Sequence, residues 1–343
     1  MLTLLLASSA DSASVNLHDA VSELDVWSSE EVLEHGVLRR HLNREVHLLI
    51  IDQLHIHADH IDAIHAKAIG QTVDEVLVLS RHAAKSGIPS LTVHAIGVPG
   101  EIPHGEVGFA GGMKGTAVPP SPRFASIYRA LREETEASPL AEEFDVSLET
   151  THHGPVLTAP TLYLEIGSKE SEWRRTDAST LWARVISRVL GLESTTPEGE
   201  WRGEGEVMIG FGGGHYAPRH SDVIIRSGLP FGHLLANYAL VFDEKTDEEP
   251  TGPWRHSLCE AVEKTRQAFP GGRVFAHLDR KSFKGWQRTA IAEELASLAP
   301  GTMQFGLEAY EKQDALEFDE ALPYLQKQIA KCFEGDDAKE GIA

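Results

Sequence analysis

The chain has 343 residues, with 31 Lys+Arg against 52 Asp+Glu and a formal net charge of −21. A hydrophobic fraction of 41% supports a packed core and excludes a disordered chain. Two cysteines, Cys259 and Cys332, exclude a disulfide framework or a cysteine-rich zinc site and point to a reducing cytoplasm.

The first apolar stretch, residues 2–7, is far short of the ~20 residues that span a bilayer. It has no basic flank and reads as a buried strand, so neither secretion nor membrane insertion is expected. Further strands are expected at 46–51, 76–79, 91–95, 144–148, 161–166, 207–211 and 273–276, several of them continuous Val, Ile and Leu runs. Helices are expected at 121–137, opened by Ser121-Pro122, at 170–192, closed by Gly191, and at 253–269 and 286–298. Strands interleaved with helices predict an α/β fold with a mainly parallel sheet. Linker-like stretches fall at 97–122, 194–205 and 243–252. The last is acidic and marks the expected boundary between a core, 1–242, and a helix-rich C-terminal extension, 243–343, packed on it. A polar tail follows at 334–343.

Acidic residues are dispersed along the chain and Arg outnumbers Lys. Such a surface suits a cytoplasm at molar salt, where the Debye length is ~3 Å and self-repulsion is screened. It argues against a general nucleic-acid binder, so an RNA partner would need a local basic patch.

Four segments carry residues that ordinary scaffold does not need. They are Ser80-Arg81-His82 with Lys85, Leu91-Thr92-Val93-His94, Glu149-Thr150-Thr151-His152-His153-Gly154 with Glu165, and Gly210-Phe211-Gly212-Gly213-Gly214-His215-Tyr216. Each sits where an expected strand ends, and in an open parallel sheet those ends share one edge. His82, His94, His152, His153 and His215, with Glu149 or Glu165, could then meet to hold Zn²⁺ or transfer protons. Glycines beside them let backbone N–H groups approach a substrate oxygen. Bland readings stand beside these. His94 reads equally as a structural residue, and an extended His152-His153 pair points to opposite sides, so one of the two serves the site. Glu165, in an apolar strand, needs a partner. Arg81 and Lys85 are a candidate phosphate contact. His55, His57 and His60 lie among Asp52, Asp59 and Asp62 and read as a solvated face.

At these segments the chain resembles the archaeal and plant type of D-aminoacyl-tRNA deacylase, distinct from the small bacterial enzymes. The resemblance rests on Ser9-Ala10-Asp11-Ser12-Ala13-Ser14, Ser80-Arg81-His82, Thr92-Val93-His94, Ala110-Gly111-Gly112, Thr151-His152-His153-Gly154-Pro155, Glu165-Ile166-Gly167-Ser168 with Trp173, Gly212-Gly213-Gly214-His215-Tyr216-Ala217-Pro218-Arg219 and Gly232-His233. It covers residues 1 to about 240; no family motif is matched beyond 243.

The resemblance implies a three-layer α/β/α fold like that of phosphorylases and peptidyl-tRNA hydrolases. It also implies hydrolysis of the ester between a D-amino acid and tRNA, and dependence on Zn²⁺. On that reading His152, His153 or His215 with Glu149 hold the metal, and His82 or Glu165 shuttles protons. Backbone N–H groups of Gly212, Gly213 and Gly214 stabilise the oxyanion, at ~3 kcal/mol per good donor. His94 lines the substrate pocket, and Arg81, Lys85 and Lys114 hold the tRNA acceptor end. A monomer is expected, with no role for DNA or a membrane. Rival readings are a phosphorylase-like or amidohydrolase-like enzyme on a small nucleoside or acyl substrate, and a non-catalytic module that binds the tRNA end.

Overall fold

The computed structural model describes residues 1–100, 110–193, 196–298 and 304–305. The expected tail at 334–343 and Cys332 lie outside the described residues. The chain opens with β1 (Thr3–Ser8), α1 (Ser12–Ser22), the hairpin β2 (Glu31–Leu33) and β3 (Gly36–Arg40), then β4 (Val46–Ile51) and α2 (Ile61–Ile69). There follow β5 (Glu75–Arg81), β6 (Ser90–His94), the short pair β7 (Gly97–Val98) and β8 (Thr116–Ala117), α3 (Phe124–Glu136), β9 (Asp145–Leu148) and β10 (Thr161–Gly167). The rest is α4 (Glu170–Trp173), α5 (Thr176–Leu190), β11 (Glu206–Phe211), α6 (Pro218–Ser227), β12 (Phe231–Leu235), α7 (Trp254–Ala268), β13 (Arg273–Leu278), α8 (Gly285–Leu298) and β14 (Gln304–Phe305). No helix among the described residues is long and apolar enough to cross a membrane.

The large sheet has the order β2-β3-β4-β1-β5-β10-β6-β9 and is parallel through its centre, from β4 to β10. Its two faces are covered separately, because alternate side chains of each strand point to opposite sides. Leu5, Leu77 and Leu164 pack beneath α1, α3 and α5, which bring Leu17, Phe124 and Trp182. Leu4, Leu6, Val78 and Tyr163 face α2 and the loops beside it, through Ile61 and Leu157. This is the layered α/β/α arrangement.

The second, parallel sheet has the order β12-β11-β13-β14. Its core holds Phe211, Trp254, Leu258, Phe269 and Ile291, fed by α7 and α8. The boundary expected at 243 falls inside it. β13 pairs with β11 along Glu206–Phe211, so residues after 243 complete a sheet begun before it. The acidic 243–252 stretch is a solvent-facing connection between β12 and α7.

Every expected strand is present, and residues 170–192 differ from expectation by a break. Asn16 on α1 donates from Nδ2 to the carbonyls of Trp173 and Arg175, both at 3.0 Å, which a continuous helix would have needed. The helix of α5 then ends at Gly191, at φ 64°, as expected.

Three histidines unconnected with the motifs form a chain on the α2 face. His47 Nδ1 lies 2.9 Å from His65 Nε2, and His65 Nδ1 lies 3.0 Å from His35 Nε2. The Arg40 guanidinium, 3.1 Å from His47 Nε2, can only donate, so it sets the tautomer of the whole chain. Burial, with Arg40, lowers His47 to about 4, and burial with the neighbouring imidazoles lowers His65 to about 3. These groups are neutral when folded and take up protons near 6.5 when unfolded, so stability is complete above that pH and is lost as pH falls toward 4 and 3. His65→Gln, measured by denaturant midpoints at pH 7 and 4.5, should lower stability at pH 7 and lose less than the native chain on acidification. Parallel losses would refute a protonation penalty here.

Candidate active site

The site grows from the register of β10 between β5 and β6. Glu165 stands opposite Ser80 on one side and Thr92 on the other. Ser80 Oγ donates to Glu165 Oε1 at 2.9 Å and Thr92 Oγ1 donates to Oε2 at 3.0 Å. One step along the same face, Tyr163 stands opposite His94, and their rings stack with centroids 5.3 Å apart. His82, directly after β5, is tied down by its N–H to the carbonyl of Ile166 at 2.9 Å. Trp173 Nε1 fixes it further by donating to the His82 carbonyl, also at 2.9 Å.

Glu149, completely buried, follows β9 and joins the segments. Its oxygens lie 3.0 Å from His82 Nδ1, 2.7 Å from His215 Nε2 and 3.6 Å from His152 Nε2. None of these approaches is aligned as a hydrogen bond, so both Glu149 oxygens are buried without one. His94 stacks on His152 at 4.1 Å, and His153 stands edge-on to His94 at 4.9 Å.

Two expectations are corrected by this geometry. β6 is antiparallel to β10 and β9 runs with β6, so His94 and Glu149 enter from the opposite direction to His82. The donors meet on the α2 face of the sheet and not along one rim. His152 and His153 do not point apart either. His153 has a left-handed φ of 48°, which turns both rings to the same side, with centroids 4.5 Å apart.

The protonation pattern follows from the two buried carboxylates. Burial opposes charge on His82, but the close carboxylates of Glu149 and Glu165 prevail and push it up to about 11. Burial likewise opposes charge on Glu165, yet His94 and His82 hold it at about 2. His152 and His153 stay neutral. Burial first, then the charge of His94, lowers both, His153 to about 3.

The expected site residues divide plainly. His82, His94, Glu149, His152, His153, Glu165 and His215 are brought together. Arg81 stands at the margin, its guanidinium 5.1 Å over the Trp173 ring and 3.9 Å from Asp11. Lys85 and Lys114 are exposed, and no contact joins either side chain to the cluster. The glycine loop departs from its expected role. Gly212 N–H is spent on the Leu235 carbonyl and Gly213 N–H on Ser282 Oγ, both at 2.7 Å, because the loop must close onto its neighbours. Gly214 alone faces open space.

Three residues were not assigned to the site from the sequence. Tyr216 brings its hydroxyl to 3.0 Å from His82 Nε2. His55, expected on a solvated face, is 2% exposed and lies between Asp11 Oδ2 at 3.2 Å and the Tyr163 hydroxyl at 3.4 Å. His57 and His60 are exposed, as expected. Asp11 also caps α1 by accepting from the N–H groups of Ala13 and Ser14. Alternation of His55 with acidic neighbours carried no signal of a partner 44 residues away.

A layered α/β fold with a buried polyhistidine–dicarboxylate centre on the face of its main sheet defines a class of protein. Comparison narrows it. The family model described as D-aminoacyl-tRNA deacylase matches residues 69–301. A protein of Arabidopsis thaliana named D-aminoacyl-tRNA deacylase is 41% identical over 306 residues, 86% of this chain and 96% of that one. One of the same name from Methanosarcina mazei is 32% identical, covering 86% of this chain and 89% of that one. A crystal structure of a conserved protein of unknown function has a TM-score of 0.68 and 29% identity, covering 87% and 93% of the two chains. The chain belongs to the D-aminoacyl-tRNA deacylase family.

The hydroxyl row around Glu165 gives a stability test. Thr92→Val keeps the shape and removes one donor to a buried carboxylate, which costs about 1.5–3 kcal/mol. Equilibrium denaturation should show that loss, and a change near zero would mean that the imidazoles alone neutralise Glu165.

Proposed function

We propose that this chain hydrolyses the ester joining a D-amino acid to the terminal ribose of tRNA, as a carboxylic-ester hydrolase acting in the cytoplasm. The observation that carries the reading is Glu149, buried and shared by imidazoles from three separate segments, in a chain of this family.

A metal ion fits the centre. His94, His152 and His153 each give Nδ1–H to a main-chain carbonyl, of Ala95, Thr150 and Gly154, at 3.1, 2.8 and 2.6 Å. That leaves Nε2 as the ligand atom of neutral His152 and His153, the arrangement usual for metal-bound histidine, while His94 Nε2, 3.6 Å from Glu165, would give up its proton to a bound cation. Three donor groups overlap: His94-His152-His153, Glu149-His152-His215 and His82-Glu149-Glu165. The imidazole-rich set suits Zn²⁺, which supplies Lewis-acid polarisation when bound.

The chain's own groups divide the remaining work. His215 has the most open side chain of those around Glu149, at 15% exposure, and is in place to take the proton of the attacking water while Glu149 steadies its charge. His82, charged and held by Glu149 and Glu165, donates from Nε2 to the Tyr216 oxygen. That leaves the Tyr216 O–H directed to the leaving ribose oxygen. Tyr216 is 38% exposed and stands at the mouth of the site. Arg81, beside Trp173 at the margin, would meet the acceptor end, with exposed Lys85 and Lys114 as the further cations of this proposal.

Matched D- and L-tyrosyl-tRNA, with release of free tyrosine followed by chromatography, test the activity. The D-ester should be cleaved and the L-ester spared, with zinc present by elemental analysis and turnover lost after chelation. Equal hydrolysis of both esters would sink the reading, and full turnover of metal-free protein would remove the metal from it. Tyr216→Phe should lower kcat ~10²-fold with little change in KM, the range for a lost general acid. An unchanged kcat would take the proton-donor role away from Tyr216.

A further inference from the structure

Surface arginines of this chain are mostly held by carboxylates: Arg39 by Glu30 at 2.9 Å, Arg40 by Glu31 at 3.0 Å, Arg174 by Glu170 at 2.8 Å and Arg175 by Glu143 at 2.7 Å. One stretch departs from that rule. Arg280, Lys281, Lys284 and Arg288 fall within nine residues that contain no acid, in a chain of net charge −21. Lys281 and Lys284 are exposed, and among the described residues neither belongs to an ion pair. Asp279, which precedes this stretch in the chain, is engaged by Arg219 Nε at 3.5 Å and by the Lys281 N–H at 3.2 Å.

This turn lies against the catalytic loop. Ser282 Oγ accepts from the Gly213 N–H at 2.7 Å, two residues before His215. A Cβ on Gly212 would stand 2.7 Å from the Phe283 ring, so the two segments pack without a gap. The Arg288 guanidinium braces the turn from below, donating to the carbonyls of Arg280 and Phe283 at 3.2 and 2.8 Å. Two free ammonium groups are thereby held on a rigid turn beside the loop that carries His215 and Tyr216. Elsewhere the acidic surface repels a polyanion, so unpaired cations at this place focus its approach to the site.

We propose that Lys281 and Lys284 form the phosphate-binding rim of this site, taking the backbone of the tRNA acceptor strand. The assignment rests on the tRNA substrate proposed above. It puts the principal RNA contact on the turn that follows β13, beside the loop of His215 and Tyr216.

The double variant Lys281→Gln/Lys284→Gln tests it, with Lys67→Gln on the exposed side of α2 as control. Deacylated tRNA binding by fluorescence anisotropy should weaken about tenfold in low-salt buffer, and the slope of log affinity against log salt should fall by about 1 to 2. Hydrolysis of D-tyrosyl-adenosine, which has no phosphate, should keep its kcat/KM, and Lys67→Gln should change neither. Unaltered tRNA affinity and salt slope in the double variant would overturn the rim and leave the deacylase reading standing. Equal loss on D-tyrosyl-adenosine would also overturn it, by placing the lysines in the chemistry. A native chain that cleaves neither ester would overturn the deacylase reading and this inference with it.

Discussion

Glu149 is the constraint from which the rest of the site follows. A carboxylate with no exposure must be compensated, because an ion taken out of water into a protein interior loses several kcal/mol of solvation. The chain meets that demand with His82 from the end of β5, His152 from the loop after β9 and His215 from the loop after β11. No hydrogen bond completes these approaches. The carboxylate therefore gathers nitrogen donors around shared space without saturating them, which is the condition a cation-binding centre needs.

The same residue couples the two sheets. Thr150 N–H donates to the His215 carbonyl at 2.8 Å and Thr151 N–H to the Leu234 carbonyl at 2.7 Å. Thr151 Oγ1 also meets buried His233 on β12 at 2.8 Å. On β12 itself, Gly232 lets α7 pack closely, since a Cβ there would come within 2.4 Å of Thr265. The first sheet supplies the buried donors, and the second supplies His215 and Tyr216, the groups nearest to solvent. Neither sheet holds a complete site.

What the sequence disclosed reflects which interactions are local. Residues 46–51 read as a strand because both faces of β4 are covered, leaving an unbroken apolar run. The hairpin β2–β3 escaped notice because it lies at the sheet edge, where charged Arg39 and Arg40 interrupt any such run. The motif residues were legible as chemistry, since histidines and carboxylates clustered at strand ends have few scaffold uses. Their orientation was not. That His152 and His153 face one way depends on a left-handed φ at His153, and that His94 reaches them depends on the antiparallel direction of β6. His55 was misread for a related reason. Its neighbours Asp52 and Asp59 are exposed, while its own burial is decided by Asp11 and Tyr163, distant in the chain.

Charge ties the surface to the interior. A chain of net charge −21 with a buried pair of carboxylates presents a cation-seeking centre inside an anion-repelling body. A polyanionic substrate reaches such a centre only where the local field is reversed, and the turn after β13 reverses it with Lys281 and Lys284, which belong to no ion pair among the described residues. The reversal costs the fold little, because the ammonium groups stay in water and Arg288 braces the turn. The separation also protects the chemistry. Cations on the outer rim are screened by solvent and salt from Glu149 and Glu165, whose charge is left to the imidazoles around them.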